Sequence, residues 1–237
     1  MKEHPKISVV IPAYNEEKYI SESLESLQNQ TIPQEFFEVI VVDNNSTDKT
    51  AQIAESSGAR LVGCQTQGVS AARATGSRAA NGDIIAGTDA DTVVAADWLE
   101  KILDHFNEDD GLVGLTGPTY FHNANPLLSK AAYISFDIFQ RFNFLIKRPS
   151  FSGFNFAVRR EAYNSVGGFN PELPSAEDID LSLKLTKIGK VGYFSDVLVY
   201  TSARRLTKDP VGFFRHNAKN YLLMLQNKNP EGFKPIR

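Results

Sequence analysis

Asp89 and Asp91 stand one residue apart just beyond the apolar run Asp83 to Gly87. Two carboxylates so spaced at a strand end make a hard-oxygen site. One can reach a divalent cation such as Mg2+ or Mn2+, while the other takes a ribose hydroxyl or a metal-bound water. A short acidic loop after a strand is also an ordinary solvated turn, so the tetrapeptide DADT does not decide by itself. Farther along, PSAEDIDLSLKLTKIG sets Glu177, Asp178 and Asp180 in the first turn of an amphipathic helix, with Ile179, Leu183 and Ile188 as its apolar positions and Leu181 and Leu185 beside them. The helix dipole favours carboxylates there, which accounts for them structurally. Alternatively, one of them is lifted into a cleft as a general base, and desolvation must then restore the basicity that the dipole removes. Cys64 is the only cysteine, and no His or Cys cluster offers a zinc site.

The elements that must position these residues follow from hydrophobic patterning. Ile7 to Ile11 is β-branched apart from Ser8 and reads as a strand buried on both faces, followed by a loop and apolar residues at helical spacing, Tyr19, Ile20, Leu24 and Leu27. The unit recurs. Phe37 to Val42 is a second buried strand, and Ser46, Thr47 or Asp48 can cap a helix through Ala51, Ile53 and Ala54 that Gly58 stops. Ala59 to Val62 gives a short third strand, Val69 to Ala80 a small-residue helix, and Asp83 to Gly87 a fourth strand. Such alternation implies an α/β, Rossmann-like, mostly parallel sheet with helices on both faces, whose ligands gather at the carboxyl ends of the strands. Three polar loops meet that edge: Ala13 to Glu16, Asp43 to Asn45, and Asp89 to Asp91. After a helix around Asp97 to Phe106 and a strand near Leu112 to Thr116 the alternation turns irregular, with an aromatic segment from Tyr133 to Phe154 and frequent Gly and Pro.

The 237 residues, 42% hydrophobic and 22% charged, suit one compact domain over 1–237. It divides into a nucleotide-binding half over about 1–116, an acceptor-side half over about 117–205 and a C-terminal helix or tail over 206–237. The net charge of -3 argues against a nucleic-acid partner. The opening apolar run, interrupted by Pro12, is too short for a signal peptide, no apolar stretch reaches membrane-spanning length, and the single cysteine fits a reducing compartment. A cytoplasmic location is the expectation. Leu127 to Ile146 and Val211 to Leu225 mix apolar and aromatic residues with Lys130, Arg141, Lys147, Arg148, Arg215, Lys219 and Lys228. That pattern suits either core helices or helices lying peripherally on the inner face of a membrane.

Five segments, VVIPAYNEEKYI, VVDNNSTDKT, GVSAARATGSRAANGD, TDADT and AEDIDL, stand in an order and approximate spacing that resembles glycosyltransferase family 2, which has the GT-A fold. The resemblance covers about residues 6 to 200. It implies an inverting, metal-dependent transfer of a sugar from a UDP- or GDP-sugar to a saccharide or polyprenyl-linked acceptor. By the same resemblance Pro12, Ala13, Tyr14 and Glu16 line the nucleoside, with Asp43 at the base. Arg73 contacts base or phosphates, Asp89 the ribose, Asp91 closes the Asp89-Ala90-Asp91 triplet as ligand to Mg2+ or Mn2+, and Asp178 is the catalytic base. FSGFNF looks like the loop that faces the acceptor, with Gly153 allowing close backbone approach, Phe154 beside it and Asn155 offering an amide to a sugar hydroxyl; Glu177 belongs to the same side. Trp98 can stack on a sugar or simply pack in its helix.

The sequence also departs from that family. Where processive relatives carry Q-x-x-R-W, this chain reads TSARRLTKD without the Trp, which favours single-sugar transfer. Arg204 and Arg205 can reach over a diphosphate or form a solvated basic turn, and His216 can complete a metal shell or be an ordinary surface or core histidine. Two rival readings use the same residues. GTDADTV fits the DxDx[TV] pattern of haloacid-dehalogenase-like phosphatases, with Asp89 as nucleophile, and a non-catalytic nucleotide-sugar-binding module would keep Asp43, Asp89 and Asp91 without needing Asp178.

Overall fold

The structure, a computed structural model, describes residues 5–226 and 228–232. The tail expected over 206–237 thus lies outside the described residues at 227 and 233–237. The first three strand–helix units and the fourth strand form as their patterning predicts. Ile7–Ala13 (β1) leads to Ile20–Gln28 (α1), Phe37–Asp43 (β2) to Thr50–Ser56 (α2), and Arg60–Gly63 (β3) to Val69–Ala79 (α3), before Ile84–Gly87 (β4). At the start of α2 the Asp48 carboxylate accepts hydrogen bonds from the Thr50 amide and hydroxyl, satisfying an amide that the first turn would leave orphaned.

The chain then runs through Thr92–Val94 (β5), Trp98–Glu108 (α4), Leu112–Thr116 (β6), Thr119–His122 (β7), Pro126–Leu145 (α5), Phe156–Arg159 (β8), Arg160–Ser165 (α6) and Glu177–Leu185 (α7). Lys190–Tyr193 (β9), Val199–Ser202 (β10), Arg204–Lys208 (α8) and Pro210–Leu225 (α9) complete it. Seven strands form the main sheet in the order β3-β2-β1-β4-β8-β6-β9. β1 runs parallel to β2 and β4, β2 to β3 and β6 to β9, while β8 is antiparallel to both its neighbours. A second sheet, β5-β10-β7, stands apart. The two halves read from the sequence are interleaved, because β8 inserts between β4 and β6 and β5 pairs with β10.

Helices cover both faces of the main sheet. On one, Ile20, Leu24 and Leu27 of α1 and Trp98, Leu99, Ile102 and Phe106 of α4 are all but sealed from solvent, each such side chain contributing roughly 1.5–3 kcal/mol by burial. On the other lie Ala71, Ala72 and Ala74 of α3 with Leu181 and Leu185 of α7. A Cβ on Gly76 would sit 2.4 Å from Val10 Cγ1, so small residues let α3 approach the sheet closely. The buried stripe of α7 differs from the expected one. It is Ile179, as expected, with Leu181 and Leu185, and the Ser182 hydroxyl donates to the Pro149 carbonyl, whereas Leu183 is only partly buried and Ile188 is 50% exposed. The helix ends at Leu185, so Ile188 lies beyond it on a turn and cannot extend its apolar face.

Candidate active site

Parallel pairing brings the sequence motifs together. Ala13 lies opposite Asp43 in the β1–β2 ladder and Val10 opposite Gly87 in the β1–β4 ladder, so the loops after β1, β2 and β4 leave the sheet along one edge. The antiparallel β8 starts at that same edge, since Phe156 pairs with both Gly87 and Thr116, and it delivers the FSGFNF loop there. The first two loops are laced together. The Asn15 amide donates to the Ser46 hydroxyl, the Thr47 amide to Asn15 Oδ1, the Glu16 amide to the Thr50 hydroxyl and the Glu17 amide to Asp48. Asn15 and Asn45 adopt left-handed backbone angles, φ 56° and 69°, which asparagine tolerates better than most residues.

Arg73 joins the two acidic clusters. It projects from α3, is 4% exposed, and donates through Nη2 to Asp89 Oδ1 at 2.6 Å and through Nη1 to Glu177 Oε1. Glu177 also accepts from the Ser70 hydroxyl at 3.2 Å. A Cβ on Gly153 would lie 2.3 Å from Arg73 Nη1, so only glycine lets the FSGFNF loop rest on this guanidinium. Beside Glu177, the Asp178 carboxylate accepts from the Ile179 amide at 2.8 Å and faces the Gly153 amide. Burial, followed by the Glu177 charge, pushes Asp178 up to about 7 from an ordinary 3.8, against the opposing pull of Arg73. The dipole-stabilised low value that a first-turn carboxylate would otherwise show is overridden.

The second half of the site is built on Asp91. Its backbone carbonyl accepts from the Ser202 amide, and the Thr92 and Thr201 hydroxyls lie 2.8 Å apart, so β5 and β10 bring Arg204 alongside. Arg204 Nε lies 2.9 Å from Asp91 Oδ2, its two Nη atoms donate to both oxygens of Glu16 at 2.8 and 2.5 Å, and its carbon sits 5.0 Å over the Tyr19 ring. Burial pushes Asp91 up to about 7; Arg204 opposes this, while the Asp89 and Glu16 charges reinforce it. Among the described residues no group of three or more His, Cys, Asp or Glu side chains could by itself hold a metal ion. The donors present are nevertheless hard oxygens carrying crowded negative charge, with Asp89 one-third exposed beside buried Asp91. That set fits a cation that shares its shell with phosphate oxygens and water.

Other expected site residues sit as follows. Partly buried Pro12 and buried Ala13 are the last residues of β1 rather than part of a loop, while partly buried Tyr14 and buried Ala90 lie in the loops at the sheet edge. Asp43 accepts from the Ser46 amide, while buried Asn44 ties three points, donating to the Cys64 and Thr66 carbonyls and accepting from the Gly68 amide. Arg205 is partly buried and its charge acts on Asp91. His216 Nε2 lies 3.0 Å from the Asn220 amide nitrogen on α9. Phe154 is partly buried against the core and rings with Phe136. Asn155 requires a correction. It is fully buried, its amide donates to the Pro118 and Val197 carbonyls, and its oxygen accepts from the Trp98 indole, so it has no amide to give a sugar. Trp98, also fully buried, packs rather than stacking on a ligand. Ser70 and Tyr19, unforeseen as site residues, touch Glu177 and Arg204; their positions one helical turn before Arg73 and one before Ile20 carried no separate signal.

Residues 8–167 match the family described as Glycosyl transferase family 2. The chain belongs to glycosyltransferase family 2. The phosphatase alternative falls with that finding, since the family and the relatives that match are glycosyltransferases. Glycosyltransferase AglE of Haloferax volcanii is 32% identical over 191 residues, covering 78% of this chain and 62% of its own length. The chondroitin synthase of Escherichia coli is 30% identical over 212 residues, covering 83% of this chain and 29% of its own. The chain thus spans less than two thirds of these family 2 relatives. Among solved structures, S. aureus TarS 1-349 in complex with UDP-GlcNAc is similar with TM-score 0.67 and 25% identity, over 83% of this chain and 58% of that one. The mannosyltransferase PcManGT of Pyrobaculum calidifontis, in complex with GDP-Man and Mn2+, is similar in fold with TM-score 0.74 and 23% identity, over 98% and 66%. The fold is that of the GT-A glycosyltransferases.

Proposed function

We propose that this chain is an inverting, divalent-metal-dependent glycosyltransferase that moves a sugar from a nucleoside-diphosphate donor to a hydroxyl acceptor. The observation that carries the reading is the Arg73 bridge, which holds the acidic loop after β4 against the first turn of α7. Asp178, held by the Gly153 and Ile179 amides and pushed up to about 7, takes the proton of the attacking hydroxyl, a value suited to a base working near neutrality. A single displacement from the face opposite the departing diphosphate inverts the anomeric carbon. Asp91, with Asp89 beside it, would hold the cation, which when bound neutralises charge developing on the leaving diphosphate. Arg204 adds a guanidinium fork suited to phosphate oxygens. Asp43 and the Pro12 to Glu16 loop line the nucleoside. Family relatives bound to UDP-GlcNAc and to GDP-Man with Mn2+ make both nucleotides donors to test.

The test is a thermal-shift screen of UDP-, GDP- and dTDP-sugars with and without Mn2+, followed by product NMR. A single donor class stabilises the protein in a metal-dependent way, and the product carries the opposite anomeric configuration. No stabilisation by any nucleotide defeats the proposal. Binding without turnover returns the chain to a non-catalytic module. If the acceptor is a polyprenyl phosphate, its oxygen is already anionic and Asp178→Asn slows transfer far less than with a sugar hydroxyl.

A further inference from the structure

The remaining unusual feature lies on the outer face of α5. Its inner side buries Ala132, Gln140 and Asn143. Its outer side carries Leu127, Ile134, Ile138, Phe142 and Leu145 at three-, four- and seven-residue steps, from 45% to 79% exposed. With Ile146 these make up half of the exposed large apolar side chains among the described residues, whereas scattered single ones would need no account. A helix of this length gives an apolar stripe of about 30 Å.

Charge indicates what covers it. Over 126–148 the one acid, Asp137, pairs with Arg141, which leaves Lys130, Lys147 and Arg148 in excess, although the net charge of the chain is -3. α9 contacts α5 through Tyr221, whose ring meets Phe139 and whose hydroxyl donates to the Arg148 carbonyl, and it adds exposed Arg215 with no acid along its length, while its Lys219 pairs with Glu231. A second copy would set these cations against their equals, which is unfavourable. A straight apolar stripe rimmed by cations matches an anionic lipid surface, where the stripe enters the headgroup boundary and the cations meet lipid phosphates. We infer that the outer face of α5 docks on an anionic membrane surface. No helix among the described residues is long and apolar enough to cross one, so the contact is peripheral. Gln140, on the opposite side of the helix, donates to Ser152 at the FSGFNF loop, so docking sets the acceptor-side wall of the cleft beside the lipid.

The experiment is co-sedimentation of the full chain with phosphatidylcholine vesicles, with and without phosphatidylglycerol. Binding requires phosphatidylglycerol, weakens with salt, drops about five-fold in Lys147→Ala, and falls more than ten-fold in the Ile138→Asp, Leu145→Asp double variant. These side chains are exposed, so the variants keep the wild-type circular dichroism. Hydrogen exchange on the unaltered chain gives a second reading, with 126–145 slowed only by phosphatidylglycerol vesicles. Absence of binding, binding indifferent to the double variant, or a dimer that the double variant dissolves would overturn the inference. None of these outcomes depends on which nucleotide sugar is used.

Discussion

Replacing Asp178 by Asn separates the catalytic role proposed for this residue from its energetic cost. The carboxylate is partly buried next to Glu177 and sits near 7 instead of 3.8. Because its folded value is raised, the stabilising contribution of Asp178 is fully present below about pH 4 and is lost as the pH climbs through 7. Roughly three pKa units at 1.36 kcal/mol each set a ceiling of about 4 kcal/mol, which solvent at a partly exposed carboxylate reduces to about 2 kcal/mol. Asparagine keeps an oxygen for the Ile179 and Gly153 amides but carries no charge to desolvate. Asp178→Asn therefore melts about 4–8 °C above wild type at pH 8, and the gap narrows through pH 5 and closes only below about pH 4, where the carboxyl is protonated in the folded and unfolded states alike. The assay is a series of thermal melts from about pH 3.5 to pH 9 in chelator. In parallel, kcat/KM of the wild type toward a hydroxyl acceptor falls about ten-fold per unit below pH 7, and the variant loses roughly 10²–10⁴ in kcat. A pH-independent difference in melting, or an Asn variant less stable than wild type at pH 8, would refute the assignment of the strain to this carboxylate.

Other substitutions probe the surrounding scaffold. Arg73→Met strands Glu177 and Asp89 without their shared partner and costs about 3–5 kcal/mol in urea unfolding, while Arg73→Lys, which cannot fork to both, costs less but still depresses turnover. Gly153→Ala forces the Arg73 guanidinium aside, and kcat falls while the melting temperature drops by a few degrees, consistent with about 1–3 kcal/mol of overpacking. Arg204→Gln weakens nucleoside-diphosphate binding about ten-fold or more by titration calorimetry, with little change in the acceptor KM. Asn155→Ala orphans the Val197 carbonyl and the Trp98 indole and leaves the Pro118 carbonyl only the Val199 amide, so stability falls by about 2–4 kcal/mol and activity falls only in proportion to the folded fraction.

The extent to which the sequence revealed the site follows from the range of the forces involved. β1, β2 and β4 were legible because a strand covered on both faces must be apolar throughout, and parallel neighbours then fix which loops share an edge. β5, β7, β8 and β10 are three or four residues long, too short for a period to register, and their partners lie far away in the chain. Yet those strands complete the site. The antiparallel placement of β8 sets Gly153 against Arg73, and β10 sets Arg204 against Asp91. Local patterning marked Arg204 and Arg205 equally, because only the β5–β10 register distinguishes the guanidinium that reaches Asp91 and Glu16 directly. The left-handed backbone of Ala176, φ 59°, likewise has no local excuse, since alanine gains nothing from that conformation. It stands immediately before Glu177 and Asp178, and strain of order 1–3 kcal/mol persists only where surrounding contacts fix the chain. Here the Arg73 bridge to Glu177 on one side and the packing of Leu181 and Leu185 on the other determine the helix start, so Asp178 is placed by long-range contacts that no window of residues around it encodes.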